Sequence, residues 1–310
     1  MSPRHLLLAL GLAAVWGVNF VVIEVGLAHF PPLLLSALRF VVAAVPAIFF
    51  FRSPGVPWRW VALVTLTLAV IQFGLVFTAM AAGMPPGLSS LVMQAQAPFT
   101  LLFAVLLLKE RLTRQQVLGV AVALGGIAVI ALDLGATSPL GAFLLLIGAA
   151  VAWGLGNIAM RRAAPPDTLR FMVWVSALAA PPMLALSAMF EGPQRDWDAL
   201  RTVTWPATGA VFYIGLLSTV AGFGVWGYLI RTYSASVIAP FSLLVPVFGM
   251  AAAAVSSGER LTPLRILAAV LIIGGVLIGL IRARTPAARA PSPSSTPAHS
   301  PTARTPSRAR

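Results

Sequence analysis

Ten apolar runs, each close to the length that crosses a lipid bilayer, follow one another along this chain with short connections between them. They cover approximately residues 6–26, 33–51, 60–80, 87–108, 116–133, 139–160, 170–190, 207–230, 235–256 and 264–281. About 20 apolar residues span the ~30 Å hydrocarbon core as a helix. Hydrocarbon offers no partner to a peptide group, so a run of this kind must satisfy its own backbone, as a helix does. The composition agrees: 59% hydrophobic and 9% charged residues exclude a water-soluble globule. The first run follows Arg4, like a secretory signal. It is longer than a signal core and lacks a small-residue cleavage site, so it reads as a retained helix. The predicted fold class is an all-α membrane protein with ten transmembrane helices.

The basic residues orient these helices. With the N-terminus inside, 16 of the 21 Lys and Arg residues fall on the inner side and 4 outside, with Arg39 within a span. Both termini are therefore expected in the cytoplasm. The longest polar connection, Glu191 to Trp205, then lies outside. Residues 282–310 carry six arginines and no acid among Pro, Ser and Ala, a composition that cannot build a core and predicts a disordered basic cytoplasmic tail.

The same counts remove several kinds of chemistry. The formal charge of +13 is concentrated partly in the tail, and cytoplasmic loops of a membrane protein account for the rest without nucleic acid. There is no cysteine, and the three histidines (His5, His29, His299) lie at span ends or in the tail. Thiolate catalysis, disulfides and a Cys/His metal centre thus have nothing to be built from. The expected partners are membrane lipids and a small-molecule substrate, with no nucleic acid, no cofactor and no metal. A membrane-embedded enzyme would need a nucleophile, an acid–base pair or a metal cluster within the spans, and none is evident.

An internal duplication refines the architecture. Ala14-Val15-Trp16-Gly17-Val18-Asn19 recurs, with one added glycine, as Val151-Ala152-Trp153-Gly154-Leu155-Gly156-Asn157. Glu110-Arg111-Leu112-Thr113 returns unchanged as Glu259-Arg260-Leu261-Thr262, Gly125-Gly126 as Gly274-Gly275, and Pro98 as Pro246. The halves are residues 1–134 and 135–281. Five spans per half is an odd number, so the copies must enter the membrane with opposite orientation. Inverted repeats of this kind characterise transporters, whose binding site lies near the midplane between the repeats, beside helices interrupted by Gly or Pro.

The fourth and ninth spans fit that description. Leu88 to Thr100 carries Gln94, Gln96 and Pro98; its partner, Ala235 to Phe248, carries Pro240 and Pro246. Wound as one helix at 100° per residue, Ser89, Ser90, Met93, Gln94, Gln96 and Thr100 share an arc of about 160°. Unpartnered amides in lipid cost several kcal/mol each, so this arc must face other helices or a wet cavity. Interhelical hydrogen bonding and substrate contact both satisfy that requirement.

These features resemble the drug/metabolite transporter superfamily, EamA branch. The motifs concerned are Trp-Gly-x-Asn in the first span, Leu38-Arg39-Phe40 in the second and the duplicated Glu-Arg-Leu-Thr; the resemblance covers about residues 5–281. Asn19-Phe20-Val21-Val22-Ile23, Met84-Pro85, Leu91 to Ala97 and Ala239 to Val247 are similar to members that export amino-acid metabolites such as O-acetylserine and cysteine. The resemblance implies a bacterial inner-membrane exporter working by alternating access, and no enzymatic activity.

Several further residues are candidates on chemical grounds. Arg39 lies about six residues from the outer end of its span, where a charged side chain marks a partner or a function. It can snorkel outward, pair with Glu24 across the first hairpin, organise an outer gate or attract a substrate carboxylate. Glu24 is the one carboxylate within a span's depth, and so a possible proton-coupling group. Trp16 with Asn19, Trp153 with Asn157, and Gln72 offer aromatic walls and amides to a small zwitterion; helix packing is the competing use of each.

Overall fold

The computed structural model describes residues 1–49, 53–133, 140–233 and 235–280, all helices and connections. Nine of these helices are long and apolar enough to cross a membrane, and a tenth is shorter. In chain order they are α1 (Pro3–Leu27), α2 (Pro32–Ile48), α3 (Trp58–Ala81), α4 (Pro86–Leu108) and α5 (Arg114–Asp133). The second half supplies α6 (Leu140–Ala163), α7 (Thr168–Phe190), α8 (Trp205–Tyr233), α9 (Ala239–Ser256) and α10 (Pro263–Leu280). Each lies within a few residues of its apolar run. The predicted tail, residues 282–310, lies outside the described residues. The long polar connection after α7 is not wholly irregular: Pro193–Arg201 forms a short surface helix.

Tertiary contacts follow the duplication. Helix α1 packs along α9, and its repeat equivalent α6 packs along α4; α8 lies against α1 as α3 lies against α6. The pairs α2–α7 and α5–α10 join equivalent helices of the two halves. Glycine permits the closest of these approaches. A Cβ on Gly275 would lie 2.6 Å from the Gly119 carbonyl, and one on Gly126, the equivalent of Gly275, would lie 2.9 Å from the Ala268 carbonyl. Overpacking at such a point costs about 1–3 kcal/mol, so the α5–α10 pair is held at backbone contact.

The α-helical ladder is interrupted at equivalent places in the two halves. Helix α3 contains a π-helical stretch, Thr65–Ile71, and α8 contains another, Tyr213–Ala221. Helix α4 tightens to 3₁₀ geometry at Met93–Ala95, and the 3₁₀ stretch Ala239–Leu244 opens α9. Such departures expose carbonyls that a regular helix would use. They also revise the picture of α4 as one continuous amphipathic helix. Its first half is buried on every side, Leu91, Val92 and Ala95 included, so no face between Pro86 and Ala95 meets lipid.

Contacts sort the helix ends onto two faces. His5 bonds Tyr233 and Tyr228, and Arg161 pairs with Glu110, which places the start of α1 and the ends of α8, α6 and α4 on one face. The other face joins Glu24 to Ser257, Thr262 and Arg265 to Asp133, and Glu191 to the first turn of α2. We call the first the terminal face, since the chain's first helix starts there.

Candidate functional site

The prolines predicted to interrupt α4 and α9 act by what they lack. A proline at position i has no N–H to offer the carbonyl at i−4. Pro98 therefore denies the carbonyl of Gln94 its α-helical donor, and Pro246 does the same to that of Ser242, which accepts the Val245 amide in a 3₁₀ bond instead. The side-chain amide of Gln94 donates to that Ser242 carbonyl at 3.4 Å. Gln94 and Ser242 are equivalent residues in the register that pairs Pro98 with Pro246. A contact between equivalent residues lies on the axis relating the two copies, so the interrupted stretches meet there. Pro240, the second residue of the 3₁₀ stretch in α9, supports the same break.

Beside this crossing is a cavity of about 330 Å³. Its polar wall is formed by Gln94, Gln96, Thr100, Gln116, Asn157 and Ser242. Asn157 Nδ2 donates to Gln96 Oε1 at 2.8 Å and to Thr100 Oγ1 at 3.0 Å. Thr100 in turn donates to the Gln96 carbonyl at 2.7 Å. This triad holds the Gln96 and Asn157 side chains at fixed angles while keeping their remaining donors and acceptors available. The close approach beneath it depends on Gly154, whose Cβ would lie 3.0 Å from that of Phe99. Pro98, Gly119, Gly275 and Gly279 are among its apolar lining. The cavity reaches Gln116 in the first turns of α5 and Leu280 at the end of α10, both on the terminal face, and so extends toward that face.

The structure thus brings together Gln94, Gln96, Asn157 and Pro98 of the predicted set. It places the remainder elsewhere. Trp16, Asn19, Trp153 and Gln72 are not among the cavity walls. The Trp16 indole donates to the Ser218 carbonyl at 3.0 Å and packs on Phe223 and Trp226. The π-helical stretch explains this contact: the Gly222 amide bonds Leu217 rather than Ser218, which leaves the Ser218 carbonyl open to the indole. Asn19 is buried, and its Oδ1 has no hydrogen-bond partner among the described residues. Trp153 packs against the hydrophobic core, and Gln72 is buried directly after the π-helical stretch of α3.

The expected charge pair is also absent. Arg39 does not reach Glu24 and does not snorkel; it is 2% exposed. Its Nη2 donates to Thr219 Oγ1 at 2.8 Å, and its Cζ lies 3.7 Å from the centre of the Phe73 ring, within range of a cation–π contact. The Nε and Nη1 donors have no partner among the described residues. Glu24 instead accepts from the hydroxyl of Ser257 at the start of the α9–α10 connection. The π-helical stretch of α8 packs on α2 and presents Thr219 to Arg39, whereas Glu24 lies in the last turn of α1.

Glu259, Arg265, Asp133 and Glu191, none of them in the predicted site set, organise the face opposite the termini. Glu259 Oε2 accepts from the Gly87 amide at 2.9 Å, and Glu259 Oε1 pairs with Arg265 at 3.2 Å. Arg265 also pairs with Asp133 at 2.9 Å. Glu191 accepts from the amides of Leu33 and Leu34 at 2.8 and 3.1 Å, capping α2. Duplication of Glu110 as Glu259 was the available signal for the first; nothing in the sequence pairs Glu191 with α2. Among the described residues no group of three or more His, Asp and Glu side chains is arranged to hold a metal.

Comparison with known proteins gives consistent matches. The sequence profile of the EamA-like transporter family matches twice, over residues 4–132 and 140–281. A Salmonella typhimurium protein named a probable amino-acid metabolite efflux pump is 41% identical across 90% of this chain and 96% of its own. An Escherichia coli K12 protein of the same name is 39% identical across 92% and 97%. A Streptantibioticus cattleyicolor protein named a probable terminal-alkyne amino-acid exporter is 31% identical across 65% of each chain. One solved crystal structure, 20% identical, superposes with a TM-score of 0.59 over 90% of this chain and 98% of the other, and shares its fold.

Proposed function

The chain belongs to the EamA-like transporter family, and from that premise we propose that it exports small amino-acid-like metabolites, of the O-acetylserine and cysteine type, from the cytoplasm across a bacterial inner membrane. Both termini are cytoplasmic in this proposal, as the distribution of basic residues requires. The terminal face is then the inner face, and the cavity extends toward the cytoplasm, the side from which an exporter loads. Residues 1–134 and 135–281 form the halves that rock about the bound substrate, and no catalytic step is involved.

The observation that carries this reading is the convergence of Gln94, Gln96, Thr100 and Asn157 on one cavity at the helix interruptions. At about 330 Å³ the cavity lies at the lower end of the ~300–1,000 Å³ range of small-molecule sites. A small zwitterion with a polar side chain suits it better than a bulky drug. The amides present donors and acceptors without a fixed charge, which permits release as well as capture. Arg39, whose Nε and Nη1 have no partner among the described residues and whose guanidinium lies over the Phe73 ring, is assigned to the substrate carboxylate during passage toward the outer face.

Overexpression in a bacterium followed by profiling of the medium tests the substrate. Excess O-acetylserine or cysteine in the medium is the expected result, and its loss in the Gln96→Leu variant at equal membrane abundance ties export to the cavity. An unchanged medium sinks the substrate assignment. Arg39→Gln should raise the half-saturating concentration about tenfold for a carboxylate substrate and little for its amide analogue, the scale of one charged hydrogen bond. Equal effects on both remove the carboxylate role of Arg39.

A further inference from the structure

The two Glu-Arg-Leu-Thr turns have the same local structure. The residue before each glutamate is left-handed, Lys109 at φ 56° and Gly258 at φ 65°. The Glu110 amide bonds the Ala104 carbonyl at 3.2 Å, and the Glu259 amide bonds the equivalent Ala253 carbonyl at 3.3 Å. Each turn then starts the next helix with its threonine: the Gln116 amide donates to Thr113 Oγ1 at 3.3 Å, and the Arg265 amide to Thr262 Oγ1 at 3.2 Å. Four residues of identical sequence share the left-handed entry, the amide bond of the glutamate and the threonine cap.

Their tertiary surroundings differ. Glu259 reaches across the repeat boundary to the first turn of α4, where a Cβ on Gly87 would lie only 2.7 Å from its carboxylate. Its side chain is 7% exposed, and Arg265 and Asp133 extend the contact to α10 and α5. Glu110 also crosses to the other half, but to an exposed side chain rather than to a helix start: it pairs with Arg161 of α6, and the two side chains are 43% and 53% exposed. Identical turns in different settings mean that the helices around them, not the turns, are arranged differently on the two faces. The cavity extends toward the terminal face, where Glu110 is exposed, and away from the face that Glu259 closes.

We propose that the two glutamates are alternating latches of the transport cycle. Glu259 seals the face opposite the termini in the conformation described here. Glu110 makes the repeat-equivalent contact, with the segment beginning at Ala235, when that face opens. The pairing follows from the duplication: in the register that aligns Pro98 with Pro246, Gly87 corresponds to Ala235, so the contact 87–259 maps onto 235–110. Exchange of the conformations of two inverted halves exchanges the two faces, and it must carry one contact into the other. A charge-assisted bond from a carboxylate to a backbone amide is stronger than a neutral one, enough to hold a face shut and weak enough to release. The proposal rests on alternating access and is independent of which metabolite is carried.

The chain contains no cysteine, so introduced pairs report without background. Gly87→Cys with Glu259→Cys should cross-link under mild oxidation in native membranes and arrest transport until reduced. Glu110→Cys with Ala235→Cys should also cross-link, in the fraction of molecules in the opposite state. Its yield should rise several-fold when Gly87→Leu, or the gentler Glu259→Ala, is added to weaken the outer latch. Membrane abundance of each variant is measured alongside, and the second variant covers failure of the first to fold. A 110–235 pair that never cross-links, or whose yield ignores both outer-latch variants, overturns the proposal. Cross-linking requires no substrate, so an unchanged metabolite profile leaves this result standing, and failure here leaves the substrate assignment untouched.

Discussion

The two Trp-Gly-x-Asn copies start from nearly the same residues and end in different chemistry. In α6, Gly154 lets the helix lie against Phe99 of α4, and Asn157 finds Gln96 and Thr100 across the interface. In α1, Gly17 allows an even closer approach to α9, with its Cβ position 2.6 Å from Phe248. Yet Asn19 finds no partner for its Oδ1 there. In the register set by the prolines, the residue of α9 equivalent to Gln96 is Leu244. One interface became polar and borders the cavity; the other remained apolar and packs. Duplication gave both a similar backbone arrangement, and divergence at the Asn157 partners, Gln96 against Leu244 and Thr100 against Phe248, left only one of them polar.

That contrast can be broken from either side. Converting the polar interface to the apolar one, Gln96→Leu, is the largest expected effect. It strands one of the two Asn157 N–H groups, the other staying on Thr100, and an unsatisfied buried polar group costs about 1–3 kcal/mol. If the loss falls on the productive conformation, initial export rates drop about 10- to 100-fold at equal abundance. Transport assays in membrane vesicles check this, and unaltered rates would show that the triad is packing only.

The reverse exchange sharpens the comparison. Leu244→Gln supplies the partner that Asn19 lacks, and thermal unfolding in detergent should shift upward by about 1 kcal/mol, the net worth of one hydrogen bond. Export should change little, because neither residue lines the cavity. Trp16→Phe tests the same apolar interface from α8. It leaves the Ser218 carbonyl unpartnered and should lower stability by about 1 kcal/mol while sparing substrate affinity.

The smallest effect concerns pH at the two glutamate turns. Burial raises the pKa of Glu259, an effect opposed by the Gly87 and Leu88 amides and by Arg265 and reinforced by Glu24. Asp133 also faces Arg265, across from α5. A carboxyl whose pKa is higher in the closed face than in the open one binds its proton more readily when closed. Acid therefore favours closure, and closure weakens as pH rises through that raised value. The 110–235 cross-link should increase modestly with pH in the wild-type background and stay flat with Glu259→Gln.

Much of this was legible in the residues. Span lengths, the duplication and the prolines of α4 and α9 located the helices, the repeat axis and two of the cavity's amides, because hydrocarbon enforces helix wherever ~20 apolar residues run together. The π-helical stretches at Thr65–Ile71 and Tyr213–Ala221 were not legible, since no residue type specifies a one-residue change in hydrogen-bond spacing. They redirected Trp16 to Ser218 and Arg39 to Thr219, two assignments that sequence reasoning had placed at the site or beside Glu24.

The Glu-Arg-Leu-Thr turns draw the boundary between the two kinds of information. Sequence alone determined their shape, down to the left-handed residue and the threonine cap, because those bonds are made within a dozen residues and are the same in both copies. Only the tertiary structure decided that Glu259 would be buried against Gly87 and Glu110 left beside Arg161. That difference depends on how distant helices are tilted in one conformation of a protein with two, and an identical tetrapeptide carries no record of it.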